Sequence, residues 1–281
     1  MCLFDECGNS DRRGFLKAAL AAGLISQGGW AAAAAPGGGE EVQVPTPVGS
    51  VRAYLARPSG RARHPAVLVM HGVLGLPDWV CAVADELAAS GFVALAMSRF
   101  SRQPDVTEQA LRNEGRESPY LTEHFFLESQ QELLGALAYL RGLSGVRPDR
   151  IGADGFCGGG IQAVRLAIAD PALRAIVSFY GPPDLPQQYR HPTDPIRQLV
   201  ELGGEVRVPL QIHYGTADYA VRAADVERLA AEVRGAGTPA EIHAYEGATH
   251  AFYDSRDREP NRIAAGLAHD RYLQFLHARL G

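Results

Sequence analysis

The chain has 281 residues, of which 46% are hydrophobic, and its formal net charge at pH 7 is -5. This length fits one large globular domain or at most two, and the lack of a basic tract argues against a nucleic acid partner. Lysine occurs once, at Lys17, so a lysine Schiff base or a phosphate-loop lysine is excluded from the rest of the chain.

The first 36 residues predict an export signal rather than a part of the fold. Arg12 and Arg13 precede an alanine-rich apolar stretch that ends in small residues and Pro36. This pattern is typical of a secretory signal, and the paired arginines followed by Phe-Leu-Lys resemble a twin-arginine signal. The alternative is an ordinary amphipathic helix. We therefore predict a periplasmic or secreted protein without stable membrane insertion, since the apolar run is too short to span a bilayer.

The next part of the chain predicts strands alternating with helices. Residues 37–64 predict a glycine-rich linker and then two short strands around residues 45–50. Continuous apolar runs, HPAVLVMHG at 64–72 and FVALAM at 92–97, predict strands that are buried on both faces. Apolar residues at helical spacing predict one helix between these strands and a longer helix over 126–140.

The same alternation continues to the end of the chain. Strands are predicted at RIGADGF, LRAIVSFYG, PLQIHYG and AEIHAYEG, with helices between them and a last helix over 261–279. This order predicts an α/β fold, in one domain over 37–281, with a mostly parallel central sheet and helices on both faces. In such sheets, functional sites lie beyond the carboxyl ends of the strands.

The segment GFCGGG, residues 155–160, falls between a predicted strand and a predicted helix. Its form is that of a nucleophile elbow, in which small residues let the nucleophile sit on a tight turn, here with Cys157 as the nucleophile. The amide of Gly158 would then point towards an oxyanion at the helix N-terminus. The alternatives are a small buried core cysteine or a nucleotide-binding loop.

A nucleophile of this kind needs a base and an acid that orients the base. Asp218 in HYGTADYAV and His250 in YEGATHAFY each follow a predicted strand, in the order acid then histidine that this fold uses. His213 and His243 lie inside predicted strands and are expected to be packing residues. His71 ends a strand but precedes the nucleophile.

GFCGGG, HYGTAD and GATHAFY, together with HGVLGLPDW, resemble the dienelactone hydrolase family of α/β hydrolases over residues 41–281. The resemblance implies a triad of Cys157, Asp218 and His250. It also implies an oxyanion hole from the backbone amides of Gly158 and Val73. The implied chemistry is hydrolysis of an ester or lactone through a thioester acyl-enzyme.

Two positions depart from the family pattern. Gly72 stands where family members carry a Glu that pairs with the resting cysteine, so we predict a resting Cys157 thiolate paired with protonated His250. Arg102 matches the first of two arginines that hold a substrate carboxylate, but Asp254 stands in place of the second. Arg102 is therefore a candidate for binding an anionic group, with a solvated loop arginine as the alternative.

The substrate is expected to be a small or moderately apolar ester or lactone. The long polar segment 101–122 predicts a loop that covers the site, with a surface excursion as the alternative. Trp79, Tyr180 and Tyr219 follow predicted strand ends and are candidates for lining the pocket. Cys81 is expected to be a helix residue away from the nucleophile, and a regulatory disulfide with Cys157 is the alternative.

The cysteine spacings and the histidine and carboxylate spacings predict no metal site, and no cofactor is implied. The leading hypothesis is an exported hydrolase. Two alternatives stay open at this stage, namely a periplasmic thiol sensor or binding protein, and an acyltransferase on the same scaffold. The sequence does not determine the natural ester or the oligomeric state.

Overall fold

The computed structural model describes residues 38–72, 76–99, 121–254 and 258–281. Strands alternate with helices along these residues. The strands are β1 Glu40–Thr46, β2 Gly49–Ala56, β3 His64–Met70, β4 Val93–Met97, β5 Val146–Phe156, β6 Ala175–Phe179, β7 Leu210–Gly215 and β8 Ala240–Tyr245. The helices are α1 Asp78–Ala89, α2 Glu123–Gly142, α3 Gly158–Ala169, the short α4 Leu199–Leu202, α5 Ala223–Gly235 and α6 Asn261–Leu280.

The described strands form one sheet in the order β1-β2-β4-β3-β5-β6-β7-β8. The pairs β1–β2 and β2–β4 are antiparallel, and the other neighbours are parallel. Every residue of β4, β6 and β7 is buried. Since successive side chains of a strand point to opposite faces, both faces of the sheet are covered, and the predicted α/β fold class is confirmed.

The first two strands are longer than the sequence suggests. The segment predicted as mostly linker forms a hairpin in which Val44 pairs with Val51 and both are buried. Pro45 lies in β1, which is the edge strand, and an edge strand tolerates a residue that cannot donate to the ladder. Polar and apolar residues alternate along both strands of this hairpin, on either side of the turn.

The parallel strands β3 to β8 all end at the same edge of the sheet. The turns after β5, β7 and β8 at this edge carry the residues that the sequence identified as candidates. Because β5 lies near the centre of the sheet, with β3 on one side and β6 on the other, the turn after it is enclosed by neighbouring strands. The fold thus places the predicted site residues at one location.

Candidate active site

Cys157 occupies a sharp turn between β5 and α3. Its backbone has φ 55° and ψ -117°, a conformation that residues with a side chain rarely adopt. The Cys157 amide donates a hydrogen bond to the Phe179 carbonyl at 2.9 Å, which ties the turn to the end of β6. The surrounding structure therefore holds a strained backbone at a residue that carries a partly exposed thiol.

The glycines around Cys157 are required by close backbone contacts. A Cβ at Gly155 would overlap the carbonyl of Gly159, so no larger residue fits before the turn. A Cβ at Gly159 would lie 2.6 Å from the His71 carbonyl oxygen and closer still to that of Met70. The elbow thus depends on α3 starting directly against the end of β3, as the sequence pattern predicts.

Gly158 is the first residue of α3, so its amide has no acceptor within the helix. It points out of the N-terminal end of the helix, where the partial positive charge favours an anion. Val73, the second residue expected to donate to an oxyanion, lies outside the described residues, as do Arg102 and the part 101–120 of the predicted covering loop. At the end of that loop, Thr122 caps α2 by accepting from the Phe125 amide at 3.1 Å.

Asp218 and His250 lie together in the turns after β7 and β8. His250 Nδ1 is 2.8 Å from Asp218 Oδ2 and 3.0 Å from Oδ1. Asp218 Oδ1 also accepts from the amides of Ala220 and Val221 at 2.8 Å and 3.1 Å. The carboxylate is therefore fixed by its own turn and holds the imidazole with Nδ1 as a donor.

The other ring nitrogen of His250, Nε2, is the atom available to Cys157, because Asp218 occupies Nδ1. His250 and Cys157 interact electrostatically. Burial disfavours the charged imidazolium, but the charges of Asp218 and Cys157 outweigh burial and raise the pKa of His250 to about 10. The three side chains that the sequence selected thus lie together, with Asp218 hydrogen-bonded to His250 and His250 in electrostatic interaction with Cys157.

Backbone strain is concentrated at the same location. Among the described residues, the non-glycine residues with positive φ are Cys157, Tyr180 and Ala251, at 55°, 42° and 58°. Each lies directly after a strand of the sheet or beside His250. Such strain is retained where the surrounding structure fixes a functional geometry.

The candidate lining residues differ in exposure. Tyr180 is 1% exposed, and its ring packs edge-on against the His250 ring at 5.2 Å between centroids, so it supports the histidine. Tyr219 is 44% exposed, with its ring 5.1 Å from His250. Trp79 is half-buried, and its ring lies edge-on to Phe156, the residue before the nucleophile, at 4.9 Å. Contact of these three rings with a substrate stays a prediction.

His71 is buried, and the backbone occupies both of its ring nitrogens. Nε2 accepts from the Arg99 amide at 2.8 Å and Nδ1 lies 2.6 Å from the Gly72 carbonyl oxygen, so the proton is on Nδ1. Burial and the charge of Arg99 lower the pKa of His71 to about 3. A neutral, fully engaged imidazole of this kind orders the turn after β3. Sequence reasoning missed its partner Arg99, because the contact joins the turns after two different strands, β3 and β4.

The remaining titratable residues named from the sequence, and Arg258 near Asp254, take the following places in the fold. His213 lies in β7, fully buried between Tyr245 and Gln211, and His243 lies in β8, as expected for packing residues. Cys81 lies on α1 as a free thiol, and burial raises its pKa to about 11. Asp254 is half-buried, and Arg258 is exposed.

Within 38–72, 76–99, 121–254 and 258–281, no group of three or more His, Cys, Asp or Glu side chains could hold a metal ion. Within those same ranges, no helix combines the length and the apolar character that crossing a membrane requires.

The protein family of the chain follows from its similarity to known proteins. A sequence profile of the dienelactone hydrolase family matches residues 51–280. The chain belongs to the dienelactone hydrolase family. A curated Bradyrhizobium protein named "Probable 2-oxo-3-(5-oxofuran-2-ylidene)propanoate lactonase" is 32% identical over 230 residues, which cover 81% of this chain and 89% of that protein.

Solved structures agree with the fold. A protein of Klebsiella pneumoniae, titled "Putative Dienelactone Hydrolase", aligns with a TM-score of 0.73 and 24% identity, covering 85% of this chain and 98% of its own. A dienelactone hydrolase-like promiscuous phosphotriesterase from metagenomic libraries aligns with a TM-score of 0.67 and 19% identity, covering 86% and 98%. Membership of the family makes this protein a hydrolase of ester or lactone bonds.

Proposed function

We propose that the protein is an exported thiol hydrolase that cleaves an ester or lactone with Cys157 as nucleophile, His250 as base and Asp218 as the residue that orients the base. The observation that carries the proposal is the grouping of the hydrogen-bonded pair Asp218–His250 with Cys157, which lies on a strained elbow at the carboxyl edge of the sheet. A cysteine that only packs in the core would require neither the strained backbone, nor the position at the carboxyl edge, nor the neighbouring pair Asp218–His250.

In the proposed first half-reaction, the Cys157 thiol proton resides on His250 Nε2 and the thiolate sulfur attacks the carbonyl carbon. The carbonyl oxygen becomes an oxyanion, which the amides of Gly158 and Val73 would stabilise. When the tetrahedral intermediate collapses, the C–O bond to the alcohol breaks and His250 returns its proton to the departing oxygen. The product of this half is a thioester on Cys157.

In the second half, His250 takes a proton from water, and the resulting hydroxide attacks the thioester. Collapse of the second intermediate releases the carboxylic acid and returns Cys157 as the thiolate, with His250 protonated. Asp218 keeps the imidazole in one tautomer and stabilises the imidazolium through both steps. The pKa of His250, raised to about 10, supports an ion pair in the resting enzyme.

For the substrate we propose a small or moderately apolar ester or lactone. Relatives named as lactonase or carboxymethylenebutenolidase suggest a lactone ring as one form. Asp254 replaces the second carboxylate-binding arginine that the resemblance implies, which argues against dienelactone itself as the substrate. Half-exposed Tyr219 and half-buried Trp79 offer aromatic surface for an apolar group.

Export by the twin-arginine pathway is proposed from residues 1–36, which the structure does not describe. The twin-arginine pathway would deliver the domain of residues 37–281 already folded to the periplasm or outside the cell. Fractionation of cells that express the full chain would locate the protein, and replacement of Arg12 and Arg13 by Lys should retain it in the cytoplasm. A periplasmic location for this variant would contradict the twin-arginine route.

The proposed activity is tested with p-nitrophenyl acetate and longer-chain esters. Turnover should disappear in Cys157→Ala and persist in Cys81→Ala, which removes the other described free thiol as a matched control. No turnover with any ester, together with rapid alkylation of Cys157, would instead favour a thiol sensor. Release of acyl groups only to an added alcohol or amine, and never to water, would favour an acyltransferase.

Anion binding by Arg102 is tested with a matched pair of esters that differ only in one carboxylate. Arg102→Ala should lower kcat/KM for the anionic ester and leave the neutral ester unchanged. Equal kcat/KM values for wild type and variant on the anionic ester would contradict the binding role.

A further inference from the structure

The buried guanidinium of Arg99 belongs to the turn after β4, which lies next to the turn after β3. Arg99 is 3% exposed, although arginine is almost never buried without a specific role or partner. Its Nη1 donates to the His71 carbonyl oxygen at 3.1 Å, and its amide donates to His71 Nε2 at 2.8 Å. Side chain and backbone of Arg99 thus hold the same residue at the end of β3.

The peptide that Arg99 holds is in contact with the elbow. The His71 carbonyl oxygen is so close to Gly159 that a Cβ there would lie 2.6 Å away. One residue further, a Cβ at Gly72 would lie 3.3 Å from the Cβ of Cys157. The His71–Gly72 peptide is therefore in contact with both the guanidinium of Arg99 and the elbow.

Arg99 is shielded from solvent by neighbouring side chains and stays charged at neutral pH. Its guanidinium lies over the rings of Phe125 and Phe126, at 5.4 Å and 5.6 Å from their centroids. Burial lowers the pKa of Arg99 to about 10, while the charges of Cys157 and of buried Glu132 act in the opposite direction. At neutral pH the side chain remains a cation, in a region where charges are screened little by solvent.

Other charged and titratable groups also face Cys157. His250 interacts electrostatically with Cys157 and is paired with the charge of Asp218, and Tyr219 lies beside His250. Glu132 on α2 partly offsets Arg99, whereas buried His71 is neutral. Gly72 contributes no charge, although a side chain at this position would touch the nucleophile.

We propose that Arg99 is a positioning residue for Cys157: its guanidinium fixes the His71–Gly72 peptide against the elbow and supplies a buried positive charge that favours the thiolate. This inference rests on the proposed role of Cys157 as nucleophile. In this proposal, electrostatic support of the thiolate comes from a residue outside the GFCGGG, GTAD and GATH motifs. Arg99 has no role in proton transfer and no contact with substrate in this account.

The test measures the rate of Cys157 alkylation by iodoacetamide as a function of pH in the full chain, with the labelled peptide identified by mass spectrometry. Arg99→Gln should move the pH midpoint of the labelling rate upward by about one unit, the size expected for loss of a nearby charge. Arg99→Lys should keep the midpoint near that of the wild type, since the charge remains. Below the midpoint, the labelling rate of Arg99→Gln should fall about 10-fold.

Glu132→Gln supplies a test of opposite sign, which also decides the matter if Arg99→Gln does not fold. Without the Glu132 carboxylate, less of the positive charge of Arg99 is neutralised. The pH midpoint of Cys157 labelling should therefore move downward. A midpoint that is unchanged in a folded Arg99→Gln, or an unchanged or higher midpoint in Glu132→Gln, would overturn the proposal. A lower melting temperature without a shift of the midpoint would mean that Arg99 is only structural.

Labelling needs no ester, so the two proposals can fail separately. A wild-type protein without ester turnover would refute the proposed function, while the shifts between variants would still report on Arg99. Conversely, normal turnover with an unchanged labelling midpoint in Arg99→Gln would retain the hydrolase and remove the role of Arg99.

Discussion

His250 Nδ1 lies 2.8 Å from Asp218 Oδ2, and the Asp218 side chain is fully buried beneath the imidazole. Two backbone amides of the same turn hold the carboxylate from the other side. The pair therefore has one geometry, in which Nε2 is the ring nitrogen that remains for Cys157. The charge of Asp218 is also a main reason why the pKa of His250 lies well above its ordinary value despite burial.

Asp218→Asn should lower kcat/KM for p-nitrophenyl acetate by about 100- to 10,000-fold. The amide cannot stabilise an imidazolium, and it can present an N–H to Nδ1 and so select the wrong tautomer. Steady-state kinetics on the variant provide the measurement. Asp270→Asn changes an exposed residue of α6 in the same way and should leave kcat/KM unchanged. A loss of less than about threefold for Asp218→Asn would contradict the assigned role.

Gly72→Glu should make Cys157 less reactive at neutral pH. A Cβ at this position would lie 3.3 Å from the Cys157 Cβ, so a carboxylate there places a like charge beside the thiolate. The pH midpoint of iodoacetamide labelling should rise by about one unit or more. Gly72→Gln is the control for size, because it adds nearly the same volume without the charge, and it should raise the midpoint less. Equal midpoints in the two variants would refute the electrostatic explanation.

Gly159→Ala should prevent the elbow from forming. The added Cβ would lie 2.6 Å from the His71 carbonyl oxygen and closer to that of Met70, and neither backbone can move without displacing β3. The expected loss is about 3 kcal/mol or more in the free energy of unfolding. Chemical denaturation measures this loss. Gly235→Ala, at the exposed end of α5 with open space around it, should cost less than about 1 kcal/mol. Equal stabilities of the two variants would contradict the close contact.

Asp154, buried in β5 behind the elbow, predicts a pH dependence of stability. Burial raises the pKa of Asp154 to about 7, although the hydrogen bond from Tyr272 acts in the opposite direction. The unfolded chain has an ordinary value of about 3.9, so the folded protein binds the extra proton between these two values. The free energy of unfolding from this group is therefore highest at low pH and falls as the pH rises from about 4 to 7.

Asp154→Asn cannot ionise and should remove this dependence. Urea denaturation at pH 5 and pH 8 should show the variant gaining stability relative to wild type by a few kcal/mol at the higher pH. Asp149→Asn, at an exposed position near the start of the same strand, should show no such gain. If Asp154→Asn were instead less stable relative to wild type at pH 8 than at pH 5, the pH dependence of stability would have the opposite sign. That result would contradict the assignment to Asp154.

Much of the site was accessible from the sequence because local rules and fold rules agree there. Gly155 and Gly159 are needed by backbone contacts that any elbow of this kind makes, so the pattern around Cys157 carries its own structural reason. Asp218 and His250 follow strands whose carboxyl ends meet at one edge, so their order along the chain predicts their proximity.

Arg99 and the Asp154–Tyr272 hydrogen bond could not be derived in the same way. Both depend on contacts between segments far apart in the chain, and both bury a group that sequence rules place at the surface. The hairpin Glu40–Ala56 was underestimated, since its strands extend well beyond the two short ones predicted around residues 45–50, and Pro45 is accommodated because β1 is the edge strand. The signal of residues 1–36, the loop 101–122 and the amide of Val73 stay predictions.

The central claim is that Cys157 carries the acyl group, and rapid quenching of the enzyme with p-nitrophenyl acetate tests it most directly. Mass spectrometry of the digested protein should find one acetyl group on the peptide that contains Cys157, released on addition of hydroxylamine as expected of a thioester. An acetyl group on any other residue during turnover, or undiminished turnover in Cys157→Ala, would contradict the account.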